Sequence, residues 1–170
     1  MKDKVRITQH DILTLKVDAI ICQANQELEP EDSEVKRIFQ NGGDEVYSEC
    51  DHQNNLAVGS AVITSAGELP ARYLIHAVIY ESGGEHPEAE EEKAMQAIQN
   101  ALQIAKQYKL KKIAIPIIGQ SVGIPMKRSA ELIFSEIKKY FDEPTTVQRI
   151  YLVAANDYEE ESLEEALKQM

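Results

Sequence analysis

Residues 111–129 constrain the fold more than any other part of the sequence. They open with an apolar run at 112–117, β-branched at Ile113, Ile115 and Ile117, which predicts a short buried strand. A glycine-bearing turn, residues 119–123, follows and leads through Pro125 into apolar positions at helical spacing. These positions are Met126, Ala130, Ile133, Phe134, Ile137 and Phe141. A strand that enters a helix through such a turn is typical of α/β proteins.

The turn at 119–123 is a candidate ligand site. Free backbone N–H groups and the positive end of the following helix meet at such a turn. The alternative is that Gly119 and Gly123 serve only the path of the chain, because an isolated glycine turn is a weak motif. The segment alone leaves both interpretations open.

The rest of the chain alternates predicted strands and helices, which indicates an α/β fold. Further strands are predicted at Val5–Thr8, 17–24, 61–64, 73–79 and 149–155. Further helices are predicted after Ser33 as the N-cap, over Asp44–Asp51, over 94–108, and around Leu163, Ala166, Leu167 and Met170. No repeat or linker divides the chain, so we expect residues 1–170 to form a single domain.

Composition excludes several classes of function. The net charge of −11 argues against a nucleic-acid partner, which would need a basic surface. No apolar run approaches the roughly 20 residues of a membrane span, and the first residues carry no signal-peptide core. Cys22, Cys50 and the four histidines lack metal-ligand spacing, so we expect no metal and no cofactor. These features favour a cytoplasmic protein with reduced thiols.

Four motifs, in this order along nearly the whole chain, resemble those of the macro domain family. HDILTLKVDAI at 10–20 is similar to the family's Gly-Asp-Ile turn and Val-Asp-Ala-Ile strand. ICQAN at 21–25 resembles the strand end Val-Asn-Ala-Ala-Asn. Residues 57–78 resemble the Thr-Gly-x-Ala-x-x-Thr, Leu-Pro and Ile-His-x-Val pattern. IPIIGQSVGIP at 115–125 resembles the loop Pro-Ala-(Ile/Leu)-Gly-Thr-Gly-x-x-Gly-(Phe/Leu)-Pro.

The resemblance implies a three-layer α/β/α sandwich with a mixed central sheet and a cleft for ADP-ribose at the strand ends. Asp11 would accept a hydrogen bond from the adenine amino group, beside the backbone N–H of Ile12. Asn25 would contact the distal ribose and is the best candidate for a catalytic residue. Backbone N–H groups of one loop would wrap the diphosphate. That loop contains Gly119, Gln120, Ser121, Val122, Gly123 and Ile124.

Several of these residues also have purely structural interpretations. Asp11 would equally suit a turn or a helix cap. Asn156 or Tyr158 would flank the adenine, with Tyr158 stacking on it, but Tyr158 would also suit a core position at a helix start. Cys22 is interpreted as a small core residue and His76, in mid-strand, as a structural histidine with satisfied hydrogen bonds.

Three departures from the family pattern fall where chemistry would occur. Cys22 replaces the first asparagine of Asn-Ala-Ala-Asn. The glycine-rich loop after this strand is replaced by residues 27–33, hereafter the acidic loop, which has Pro30 and no glycine. Asp32 lies near the family's catalytic aspartate in count but not in motif, so that role is not transferred to it.

The third departure is a phosphate loop that is one residue short, with its middle glycine missing. A shorter loop redirects or removes backbone N–H groups, and each charge-assisted hydrogen bond is worth about 1.5–3 kcal/mol. Losing one or two of them would cost roughly one to four decades of affinity.

The sequence supports three hypotheses about function. The favoured one is a divergent binding module for ADP-ribose, an ADP-ribosylated protein or a related adenine nucleotide. The second is a hydrolase that removes ADP-ribose from proteins or deacetylates O-acetyl-ADP-ribose, with Asn25 positioning a water. The third is a ligand-free scaffold whose acidic surface meets a basic partner.

Overall fold

A computed structural model describes residues 1–170 as a six-stranded sheet between two layers of helices. The strands are β1 (Val5–Thr8), β2 (Ala19–Asn25), β3 (Ala61–Ser65), β4 (Tyr73–Tyr80), β5 (Lys112–Pro116) and β6 (Arg149–Val153). The α-helices are α1 (Ser33–Gly42), α2 (Asp44–Asp51), α3 (Glu91–Gln107), α4 (Met126–Phe141) and α5 (Asp157–Lys168). None of the α-helices combines the length and the apolar character needed to cross a bilayer.

The sheet is mixed, as the family resemblance implies. Its strand order is β1-β6-β5-β2-β4-β3, and only the β3–β4 pair is antiparallel. Parallel neighbours place the carboxyl ends of β1, β6, β5, β2 and β4 on one edge, where α/β proteins bind ligands. The β2–β4 register shifts between Ala24 and Asn25, so the irregularity lies at that same edge.

Apolar side chains fill both faces of the sheet. On one face β2 and β4 pack with α1 and α2, around buried residues such as Ile38 and Phe39. On the other face a larger core joins the sheet to α3, α4 and α5, around residues such as Phe134 and Ile98. Helices cover both sides of the sheet, so β2 and β4 are buried along almost their whole length and are mainly apolar. The predicted three-layer α/β/α sandwich is confirmed.

Some element boundaries differ from the predicted ones, for local reasons. Helix α1 is capped by Asp32 rather than Ser33, because an Asp32 side-chain oxygen accepts from Val35 N at 2.8 Å. Strand β2 begins at Ala19, two residues later than predicted, and the backbone oxygen of Asp18 just before it accepts from Arg72 N and from Tyr73 N at the start of β4. Helix α3 begins at Glu91, where acidic residues in the first turn complement the helix dipole.

Candidate ligand-binding cleft

A cleft of about 440 Å³ lies at the carboxyl edge of the sheet. Its walls come from the segment after β1, the end of β2, the start of α1, the turn after β5 and the segment after β6. Several chain segments therefore converge on one space, within the size range of small-molecule sites. Its walls include Asp11, Ile12, Gln23, Asp32, Arg37 and Ser121.

Asp11 stands at one end of the cleft and is tied to two neighbours. One carboxylate oxygen accepts from Leu13 N at 3.1 Å, so the residue caps the short 3-10 helix Ile12–Thr14. Both oxygens also contact the guanidinium of Arg37, at 2.9 and 3.1 Å. Arg37 holds the pKa of Asp11 below its usual range. The capping interpretation is thus confirmed, and the carboxylate remains ionised and about half exposed.

Arg37 is outnumbered by acidic groups that line the cleft. Asp11, Asp32, Glu34 and Glu159 all contribute carboxylates to the walls. Burial raises the pKa of Glu34, although Arg37 contacts it at 3.5 Å and opposes that shift. Four carboxylates against one guanidinium make this part of the wall negative, which disfavours anionic groups placed close to it.

The turn at 119–124 is shaped by its glycines. Gly119 and Gly123 have φ values of 91° and 94°, in the left-handed region that favours glycine. A Cβ on Gly119 would lie 2.6 Å from Ile124 Cδ1. Val122 N and Ile124 N both donate to Gly119 O, which closes the turn on itself. Gly119 is therefore required by the path of the chain, whether or not the turn also binds a ligand.

Only part of this turn faces the cleft. Gln120 and Ser121 line it, whereas Val122 and Ile124 are buried in the larger core and Gly123 lies outside the lining. The backbone N–H groups of Gln120 and Ser121 have no acceptor within the chain. Two N–H groups are thus available to an anionic or acceptor group in the cleft.

Gln23 spans the cleft from one wall to the other, a role that sequence reasoning missed. Its Nε2 donates to Asp32 Oδ2 at 2.7 Å and to Ser121 Oγ at 2.9 Å. Its Oε1 accepts from Gly119 N at 2.8 Å. The residue is 7% exposed, so these bonds are largely shielded from water. The available clue was a long polar side chain where the family motif has alanine.

Asn25 lies outside the cleft and is fully buried. Its Oδ1 accepts from Glu27 N and Glu29 N, each at 3.0 Å. Its Nδ2 donates to Glu31 Oε1 at 2.8 Å, and Glu31 Oε2 accepts from Tyr80 OH at 3.2 Å. The acidic loop therefore folds back over Asn25 and uses both polar ends of its side chain.

The predicted adenine neighbours after β6 are not in the cleft. Asn156 is the N-cap of α5, with its side chain accepting from Glu159 N at 2.9 Å. Tyr158 is 63% exposed, so its interpretation as a core residue is wrong, and it does not line the cleft either. Glu159 lines the cleft instead, and its carboxylate accepts from Ala155 N.

His76 and the two thiols form a buried structural group. Nε2 of His76 lies 2.8 Å from Thr64 Oγ1, and Nδ1 lies 3.6 Å from Cys22 Sγ. Burial lowers the pKa of His76 to about 4 and raises the pKa of both the Cys22 and the Cys50 thiol. The predictions of a satisfied histidine and an inert core cysteine are confirmed.

Comparisons with known proteins place these features in context. A family model described as Macro domain matches residues 23–133. A macro domain-containing protein of Methanosarcina mazei is 33% identical over 99% of this chain and 90% of its own length. An O-acetyl-ADP-ribose deacetylase of Enterobacter sp. (strain 638) is 31% identical over 95% of this chain and 91% of its own length. The fold is similar to that of a Trypanosoma brucei macrodomain in complex with ADP-ribose, with a TM-score of 0.85 at 20% identity, over 96% of this chain and 69% of that one.

Proposed function

The chain belongs to the macro domain family, and we propose that its cleft binds ADP-ribose or a related adenine nucleotide, with an altered pocket for the diphosphate and the distal ribose. One observation carries this proposal. An ionised Asp11 lines the same cleft, at the carboxyl edge of the sheet, as Gln120 and Ser121, whose backbone N–H groups have no acceptor within the chain. The Asp11 carboxylate, which can only accept hydrogen bonds, suits a base that carries an amino group. The two N–H donors suit a phosphate.

At the adenine end, Asp11 would accept from the exocyclic amino group while Ile12 lies beside the ring. The carboxylate is fixed by Arg37 and Leu13 N, so little side-chain freedom would be lost on binding. A fixed carboxylate selects an amino group over a carbonyl, because an ionised carboxylate cannot donate. This favours adenine over bases that present a carbonyl at the same position.

At the phosphate end, the turn at 119–123 offers fewer donors than the family pattern. Gly119 N is already engaged by Gln23, which leaves the N–H groups of Gln120 and Ser121. Contact between Asn25 and a distal ribose would require the acidic loop to move away. We therefore expect the affinity for ADP-ribose to be weaker than that of a site with the full family loop.

The hydrolase is the second candidate, favoured by the relative that is named an O-acetyl-ADP-ribose deacetylase. Its mechanism would need Asn25 to position a water and a carboxylate such as Asp32 to act as general base. Here Asn25 is occupied by the acidic loop, and Asp32 caps α1 and binds Gln23. Binding without turnover therefore fits this arrangement better. Turnover that is insensitive to substitution of Asn25 and of Asp32, each alone, would exclude that mechanism.

The proposed partners are the free nucleotide or an ADP-ribosylated protein in the cytoplasm, with residues 1–170 acting as one domain. Neither nucleic acid nor a membrane surface suits a net charge of −11. If the acidic surface instead serves a basic partner, binding should weaken strongly with salt and ignore nucleotides.

Calorimetric titration with ADP-ribose, ADP and AMP tests the proposal. We expect dissociation constants in the micromolar range and at least tenfold weaker binding by Asp11→Ala. Asp51→Ala, an exposed substitution at the end of α2, is the matched control and should bind as the wild type does. Absence of heat and of a thermal shift at millimolar ligand would refute a nucleotide-binding function.

A further inference from the structure

The Gln23 side chain divides the carboxyl edge of the sheet into two parts. On one side is the open cleft, with Asp11 and the N–H groups of Gln120 and Ser121. On the other side is Asn25, sealed under the acidic loop. Gln23 links the turn after β5 to the start of α1 through Ser121 and Asp32. The two parts are therefore separated by a hydrogen-bonded bridge, formed by Gln23 with Asp32 and Ser121 and hereafter called the Gln23 bridge.

The bridge is fully satisfied, which makes it costly to open. Both amide hydrogens of Gln23 have acceptors, at 2.7 and 2.9 Å, and its oxygen accepts from Gly119 N at 2.8 Å. A ligand group that displaced the side chain would leave the buried Gly119 N–H without an acceptor and would break two partly buried bonds, unless it replaced them. A phosphate could accept from Gly119 N and Ser121 but would face the Asp32 carboxylate with no donor between them.

The acidic loop completes the closure beyond the bridge. Asn25 has no free polar atom, since its oxygen accepts from two backbone N–H groups and its nitrogen donates to Glu31. Leu28 anchors the loop in the core, 2% exposed and at a φ of 54° that leucine rarely adopts. The space that a second ribose would need is thus filled by the chain itself.

We infer that Gln23 is a specificity-determining residue that limits the cleft to an adenine nucleoside monophosphate. This inference rests on the proposed nucleotide-binding function and narrows it. The first phosphate meets the N–H groups of Gln120 and Ser121, while a second phosphate and a distal ribose find the Gln23 bridge and the acidic loop in their way. ADP-ribose accordingly gains no affinity over AMP from the part of the molecule that the two do not share.

The test is a calorimetric comparison of AMP, ADP and ADP-ribose on the wild-type protein and on two variants. In the wild type we expect AMP to bind as tightly as ADP-ribose, within fivefold. Gln23→Ala removes the bridge and should shift the ratio of the two dissociation constants in favour of ADP and ADP-ribose by at least fivefold. Gln99→Ala, which changes an exposed glutamine of α3 outside the cleft, is the matched control and should leave that ratio unchanged.

The outcomes separate this inference from the proposed function. ADP-ribose binding more than fivefold tighter than AMP by the wild type would overturn the inference and leave the nucleotide site standing. No heat with any of the three nucleotides would remove both. An unchanged ratio in Gln23→Ala would show that Gln23 does not set the limit. If circular dichroism shows that Gln23→Ala does not fold, Gln23→Asn replaces it, since a side chain one methylene shorter cannot span both walls.

Discussion

Replacing Asn25 with alanine tests whether the main role of this residue is to anchor the acidic loop or to contact a ligand. The substitution removes the acceptor for Glu27 N and Glu29 N and the donor to Glu31. It leaves the apolar surroundings of β2 almost untouched, because the side chain is short and its contacts are mainly polar. The expected effect is therefore on the loop and on stability, before any effect on binding.

The size of the effect follows from the three shorter hydrogen bonds, since a fourth, from Asn25 Nδ2 to Glu29 O at 3.5 Å, is too long to add much. Two neutral bonds are worth about 1 kcal/mol each, and the bond to the Glu31 carboxylate about 1.5 kcal/mol. Water can reach part of the loop after the change, so we expect a loss of about 3 kcal/mol in the free energy of unfolding. For a chain of this length, that corresponds to a fall of roughly 6–12 °C in melting temperature.

Urea denaturation followed by circular dichroism measures this loss directly. Asn54→Ala is the matched control, because Asn54 is exposed and its side chain makes no hydrogen bond, and it should stay within about 0.5 kcal/mol of the wild type. A loss below about 1 kcal/mol in Asn25→Ala, comparable with the control, would refute the anchoring role. Weaker ADP-ribose binding at unchanged stability would point back to the family's role for this asparagine.

Three further predictions concern other parts of the structure. Burial lowers the pKa of His76 to about 4, so as the pH falls the unfolded chain takes up a proton on this residue before the folded chain does. The free energy of unfolding should therefore fall by about 2 kcal/mol between about pH 7.5 and about pH 5. Parallel urea titrations of His76→Gln should lack this dependence. Arg37→Met should raise the pKa of Asp11, which carboxyl NMR measures. The same substitution should lower the free energy of unfolding by less than about 1 kcal/mol, because both side chains are substantially exposed. An unchanged pKa of Asp11 would contradict the ion pair. Gly119→Ala should destabilise the protein by about 1–3 kcal/mol more than Gly83→Ala does, measured by thermal denaturation. Both glycines have a positive φ, but only Gly119 lacks room for a Cβ. Equal losses of stability in the two variants would exclude the steric cause.

The fold was predictable because its determinants are local or periodic. The apolar runs of β2, β4 and β5 identify buried strands, and the spacing of Met126, Ala130 and Ile133 identifies α4. Boundaries moved where a single side chain decides them, as when Asp32 rather than Ser33 caps α1. Propensity cannot choose between two adjacent capping residues, because the choice depends on which oxygen reaches Val35 N.

Several predicted site residues line the cleft, namely Asp11, Ile12, Gln120 and Ser121, but most contacts between the cleft walls could not be predicted. Asp11 follows directly from its motif, and the structure gives it the capping bond that a turn aspartate implies. Gln23 could not be assigned, because two of its partners, Asp32 and Ser121, lie 9 and 98 residues away in sequence. The same holds for Arg37, whose pairing with Asp11 depends on how α1 lies across the cleft. Contacts between distant segments are set by tertiary packing and leave no periodic trace.

The position of β1 has a consequence for how the protein is made. This strand lies at the edge of the sheet and pairs only with β6, from Val5 against Ile150 to Thr8 against Val153. During synthesis the first strand therefore waits without a neighbour until the last strand has left the ribosome. Asp11 and Ile12 lie in the segment that follows β1, so the part of the cleft that they line assembles last. A nascent chain interrupted before β6 would carry the turn at 119–123 but no complete site.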